Sequence, residues 1–172
     1  MDELKSFTVD DWIVHRHHGI GKIEGVQTMD LGEEEKKYYR IDTYGSTIWF
    51  PEDKMTSEWL RPVASPSEIQ SALLVLASVP ENMPDNLKGR QKQIRDVHAN
   101  DEPVVIGELL RDLWALKYEK KTLGQMEELA LRRLTDCFLA EWSVCMDLPI
   151  EQVKLRFNEL KHESRDKGAK SS

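Results

Sequence analysis

Residues 11–63 read DWIVHRHHGIGKIEGVQTMDLGEEEKKYYRIDTYGSTIWFPEDKMTSEWLRPV, and this stretch decides the fold. Trp12 and Val14 alternate with Ile13 and His15, as on a strand. Gly19 and Gly21 frame a turn or bulge. Ile20 to Met29 predicts a second strand, kinked or bulged at Gly25. Leu31 to Lys37 is a charged hairpin loop. Tyr38 to Tyr44 is rich in aromatic and β-branched residues and predicts a third strand. Gly45 and Ser46 turn the chain into a fourth strand, Thr47 to Phe50, which Pro51 ends because it has no N–H to donate. Leu60 to Ala64 closes the sheet. No helical period appears before Ser65.

The rest of the chain is helical. Ser65-Pro66-Ser67-Glu68 combines a capping residue, a proline suited to the first helical position and the glutamate of a capping box. Ile69, Leu73, Leu76 and Ala77 mark the apolar face that follows. A break at 80–84 precedes a helix over Asp85 to His98. A third helix starts near Asp101 and is expected to bury Ile106, Leu109, Leu110, Leu113 and either Leu116 or the stem of Lys117. Thr122 heads a second capping pattern. The long helix it opens carries Met126, Leu129, Ala130, Leu134, Cys137, Phe138 and Glu141 on one side. A last helix begins at Pro149, with Ile150, Val153, Phe157 and Leu160 on its buried face. Trp114 and Trp142 are core candidates on these helices. The end of the chain, RDKGAKSS, has no apolar pattern and is expected to be disordered.

Composition narrows the function. The chain has 172 residues and a net charge of −7, which argues against coating nucleic acid with its whole surface. No apolar run approaches the roughly 20 residues that span a bilayer. The N-terminus, MDELKSFTVDDW, is acidic and carries no signal-peptide pattern. Cys137 and Cys145 are two helical turns apart, too far to bridge within one helix. A reduced, cytoplasmic setting fits.

Candidate sites are few. His15 and His17 share a strand face, as two metal ligands would. No Cys or carboxylate stands at a recognisable spacing beside them, so a polar turn cluster is the expectation and no metal or cofactor is. Glycines 19, 21 and 25 lack the spacing and following helix of a dinucleotide fingerprint. Glu33, Glu34 and Glu35 share one exposed environment, whereas catalytic carboxylates need environments that separate their pKa values. No nucleophile motif is present, and no catalytic residue is assigned. Tyr39 and Trp49 serve either the small core or a partner surface. Lys88, Arg90, Lys92 and Arg95 form the one basic run in the folded part. Lys88, Lys92 and Arg95 fall on one helical face, which suits phosphate contacts or simple solvation.

HHGIGKIEGV, YYRID, FP and LRPV, in that order, followed by ELLRDLWALKYEKKTLG and LRRL, resemble the CarD (CarD/CdnL-like) family of bacterial transcription regulators. The opening is similar to the polymerase-interacting module of the transcription-repair coupling factor. The resemblance covers about residues 9–160. It implies an α+β architecture: a Tudor-like β module over 1–64, an all-helical domain of about five helices over 65–167, and a tail at 168–172. It also implies a non-enzymatic, monomeric regulator that binds the RNA polymerase β subunit through the module. Gln27, Met29, Tyr39 and Trp49 would face the polymerase. The helical domain would touch promoter DNA at the upstream edge of the bubble, without reading much sequence, through Leu87, Lys88, Arg90, Lys92 and Arg95. Leu87 stands where the family places a wedge tryptophan. Met29 and Trp49 stand where the family commonly has arginines. The alternative expectation is a divergent adaptor that holds a partner protein and binds no DNA.

Overall fold

The computed structural model describes residues 7–30, 32, 34–56, 58–120 and 122–171. They divide between Val63 and Ala64 into two compact units. The sequence places that boundary one residue later, just ahead of the Ser65 cap.

The first unit is a five-stranded antiparallel sheet. Its strands are β1 (Trp12–His15), β2 (Gly19–Asp30), β3 (Glu35–Thr43), β4 (Thr47–Pro51) and β5 (Leu60–Pro62), with a short 3-10 turn at Glu52–Lys54. The order across the sheet is β4-β3-β2-β1-β5. The β2–β3 ladder runs on to the Asp30–Glu35 pair. Glu35, Lys36 and Lys37 are therefore strand and not loop. Charged side chains do not bar a strand whose face is solvated. Leu31 and Glu33 of the expected loop lie outside the described residues. Ile13, Ile23, Ile41 and Leu60 form the core, with Tyr39, Ile48, Phe50, Met55 and Trp59 packed against it. Gly21 is required by closeness: a Cβ there would lie 2.7 Å from Ile41 Cγ2.

One irregularity sets the faces of this sheet. Ile23 pairs with Ile41, but Gly25 pairs with Arg40. Glu24 is thus an extra residue in β2, a bulge beside the expected Gly25 kink.

The second unit holds α1 (Pro66–Leu76), α2 (Leu87–Asn100), α3 (Pro103–Lys120), α4 (Gln125–Met146) and α5 (Ile150–Lys170). The Ser65 capping box forms as read: Ser65 N–H donates to Glu68 Oε2 at 2.7 Å, and Glu68 N–H to Ser65 Oγ at 3.3 Å. The second pattern shifts. Gly124, not Thr122, is the N-cap of α4, and its N–H donates to Glu127 Oε2 at 2.7 Å. The buried stripe keeps Ala130, Leu134, Phe138 and Glu141 but differs from the expected one elsewhere. Met126 and Leu129 are exposed, while Leu131, Leu139 and Trp142 join Leu134 and Phe138 in the core. Trp114 is only half-buried.

The tail is also corrected. α5 continues to Lys170. Ser164 Oγ donates to Ser78 O at 2.7 Å, and Lys167 Nζ donates to Ala77 O at 2.7 Å. These bonds satisfy carbonyls at the C-terminal end of α1, and a cation suits a helix C-terminus. A polar sequence can hold a helix in this way without an apolar stripe. None of the described helices is long and apolar enough to cross a membrane.

Candidate functional site

The outward face of the sheet follows from alternation and the bulge. Were Glu24 paired as a regular strand residue, the odd residues of β2 after Ile23 would all point into the core. The extra residue reverses that parity, so Gln27 and Met29 point outward. Directly opposed residues share a face. Trp49 opposes Arg40, Pro51 opposes Tyr38, Tyr38 opposes Gln27, and Lys36 opposes Met29. These rows make one surface. Trp49 is 43% exposed on it. Gln27 is exposed and Met29 half-buried. Arg40 Nη2 is tied to Asp42 Oδ2 at 3.2 Å.

Tyr39 is not on this surface. It lies on the opposite face with Ile41, Ile48 and Phe50, packed against the core. Burial, and then Glu52, push its phenol pKa up. Tyr38 occupies the outward place that the sequence reading gave to Tyr39. The signal was present: Arg40 and Tyr38 share parity, and Ile41 shares parity with Tyr39.

The histidine cluster is a turn. His15 is buried, and its Nδ1 accepts from His17 N–H at 3.0 Å. His15 and His18 ring centres lie 4.7 Å apart, and the Phe50 ring meets His15 edge-on at 5.2 Å. Burial, then His18 and His17, push the His15 pKa down to about 4. Among the described residues no group of three or more His, Cys, Asp or Glu could hold a metal ion.

In the helical unit, Asn86 caps α2: its Oδ1 accepts from Gly89 N–H at 2.7 Å. A Cβ on Gly89 would lie 2.8 Å from Pro84 Cβ, so glycine lets this turn close tightly. Leu87 is 47% exposed at the first helical position. Its Cδ1 rests beside the start of α4, 3.7 Å from where a Gly124 Cβ would stand. At 3.6 residues per turn, Lys88, Lys92 and Arg95 fall within about 60° of one another. All three are exposed. Lys92 Nζ is paired with Asp96 Oδ2 at 2.8 Å. Lys88 and Arg95 have no ion pair among the described residues.

Arg90 departs from the expected set. The same helical geometry puts it with Ile94 and Val97, and it is buried with them. Its Nε donates to Glu127 Oε1. Its Nη1 donates to Pro84 O at 3.0 Å and Asp85 O at 2.7 Å. Arg90 therefore clamps the 84–86 turn to the start of α4 and offers no charge to an outside phosphate. Glu127, missed by the sequence reading, completes the clamp.

The family model for the CarD-like/TRCF RID domain matches residues 7–64, the segment that contains the sheet. Over these residues the N-terminal unit is similar to the CarD-like/TRCF RID domain. A Bacillus subtilis protein named "Putative transcription factor YdeB" is 27% identical over 150 residues, covering 86% of this chain and 97% of that relative. That alignment is longer than either unit, so the similarity crosses from the RID domain into the helices. Transcription-repair-coupling factors of Staphylococcus aureus and Staphylococcus epidermidis are 34% identical over 58 residues, 31% of this chain and 5% of each factor.

Proposed function

We propose that this protein is a non-enzymatic transcription regulator that docks on the RNA polymerase β subunit through the outward sheet face of its RID domain. The observation that carries this reading is the RID match over residues 7–64, joined to a face on which Trp49, Tyr38 and Met29 stand together. The protein works where polymerase works, in the cytoplasm, and as a monomer. Its helical unit meets promoter DNA at the upstream edge of the bubble, with Lys88 and Arg95 on phosphates and Leu87 as the apolar wedge. Lys92 joins them once released from Asp96. Leucine lacks the stacking face of a tryptophan, so the wedge is weaker than the family's.

The test is open-complex lifetime with purified polymerase. Leu87→Trp lengthens it and Leu87→Ala shortens it. Unchanged lifetimes for both, with DNA association also unaffected by charge reversal at Lys88 and Arg95, would remove DNA from the function. A second reading has its own support. With Arg90 buried and Lys92 paired, α2 keeps few free cations on a chain of net charge −7. In that reading the RID domain is an adaptor for a partner protein. Binding to a forked promoter duplex across a salt series, with and without polymerase, separates the two.

A further inference from the structure

A cleft of about 580 Å³ opens in the helical unit between the end of α1, the outer face of α3 and the last turns of α5. It does not include Leu87, Lys88, Lys92 or Arg95. Its volume is in the range of small-ligand sites. Leu76, Val79, Pro80 and Ala115 give it apolar walls, and Trp114 and Tyr118 line it from α3. Lys161 and Arg165, one turn apart on α5, line it from the other side. Lys161 Nζ lies 3.8 Å from the Trp114 ring centre, and the Arg165 guanidinium 5.2 Å from that of Tyr118.

The polar groups here are donors in excess of acceptors. Lys161 is half-buried and has no carboxylate partner among the described residues. Burial, and then the neighbouring Lys117, push its pKa down. Lys117 is itself occupied by Glu128 at 2.9 Å. Among the described residues Arg165 has one distant ion pair, Nε to Asp166 Oδ1 at 3.6 Å. Trp114 Nε1 is buried with no acceptor among the described residues. Arg111, in the lining, is held by Asp112 at 2.7 Å and fixes that wall. Among the described residues Glu119 is the one carboxylate side chain in the lining. A half-buried ammonium without a counter-charge is costly, and an anion beside it relieves that cost.

We infer that this cleft is a binding site for a small phosphorylated ligand of nucleotide size. Its phosphates would meet Lys161 and Arg165, and its body would lie along Tyr118, Pro80 and Val79. The cations supply charge-assisted hydrogen bonds to phosphate oxygens. The apolar wall favours a ligand with a flat or apolar body over a bare anion. Its lining shares no residue with the polymerase and DNA surfaces proposed above.

The test is calorimetric titration of the full chain with ADP, with pyrophosphate and with inorganic phosphate. ADP is expected to bind, pyrophosphate at least tenfold more weakly, and inorganic phosphate more weakly still. Lys161→Met keeps the stem over Trp114 and removes the charge. It should cut ADP affinity at least tenfold, as should Arg165→Met, while Lys161→Arg keeps most of it. Lys154→Met, on the same helix but outside the cleft, should change nothing. Absence of ADP binding at millimolar concentration overturns the proposal. So does binding that survives both Lys161→Met and Arg165→Met, or that single-stranded DNA competes away through Lys88 and Arg95.

Discussion

Trp49 and Tyr39 are two aromatic residues of one sheet with opposite duties. Trp49→Ala leaves the core untouched and should weaken polymerase binding about tenfold, as loss of an interface aromatic does. Thermal unfolding should shift little. Tyr39→Ala opens a half-buried position against Ile41 and Phe50 and should cost about 2 kcal/mol of stability. Urea unfolding and a polymerase binding assay, run on both variants, check the pair. If Trp49→Ala unfolds the domain, the outward assignment is wrong. His15 gives a second residue-scale expectation. Its folded pKa lies near 4 against an ordinary 6.5, so between these values the unfolded chain takes up a proton that the folded chain refuses. Stability is therefore full above pH 6.5 and falls as pH drops toward 4. Because the turn has some access to solvent, the loss is discounted to about 2 kcal/mol. Urea midpoints at pH 7.5 and 4.5 measure it, and His15→Asn should flatten the difference. The polar turn at these histidines was the reading their spacing favoured; the burial of His15 and the His17 N–H bond to its Nδ1 were not legible there.

At the scale of elements, α2 shows how helical geometry sorts a basic run. Lys88, Lys92 and Arg95 were readable as one face, because spacings of four and three residues repeat the helical period. Arg90 was readable as buried by the same arithmetic, since it shares a side with Ile94 and Val97. Counting charges hid that. Its loss should therefore behave as a structural lesion. Arg90→Ala strands the Glu127 carboxylate in the interior and should cost about 3–5 kcal/mol. The double change Arg90→Met with Glu127→Met should recover much of it. Chemical denaturation followed by helix signal tests both. An Arg90→Ala protein of unchanged stability with a lower salt slope for DNA would return Arg90 to the phosphate contacts. Lys88→Ala and Arg95→Ala, by contrast, should each lower that slope by about one unit with stability intact. The start of α4 was less legible. Thr122 and Gly124 both precede helical sequence, and Glu127 three residues after Gly124 decides for the glycine.

For the molecule as a whole, the sheet-then-helices order was plain in the sequence, because strand alternation stops and capped helical periods begin at Ser65. The end of α5 was not. Residues 165–172 have no apolar period, and the helix of 165–170 depends on bonds to carbonyls some ninety positions earlier, as from Lys167 to Ala77. Removing residues 164–172 should therefore lower the stability of the helical unit by about 1–3 kcal/mol. A disordered tail would be removable at no cost. Calorimetric melting of the shortened chain decides between these outcomes. The N-terminal unit, with its own core, should fold as an isolated fragment of residues 1–63, though marginally for its size.

The extra residue in β2 has a genetic consequence. Substitutions at Gln27 or Met29 can vary the outward chemistry one side chain at a time while Ile23 and Ile41 keep the domain folded. Loss of the single codon for Glu24 would remove the bulge yet keep Ile23 opposite Ile41 and Gly25 opposite Arg40, so Gln27 and Met29 would stay outward. Gain of one codon between Gly25 and Gln27, with no second bulge to absorb it, would turn Gln27 and Met29 inward and remove the outward surface in one step.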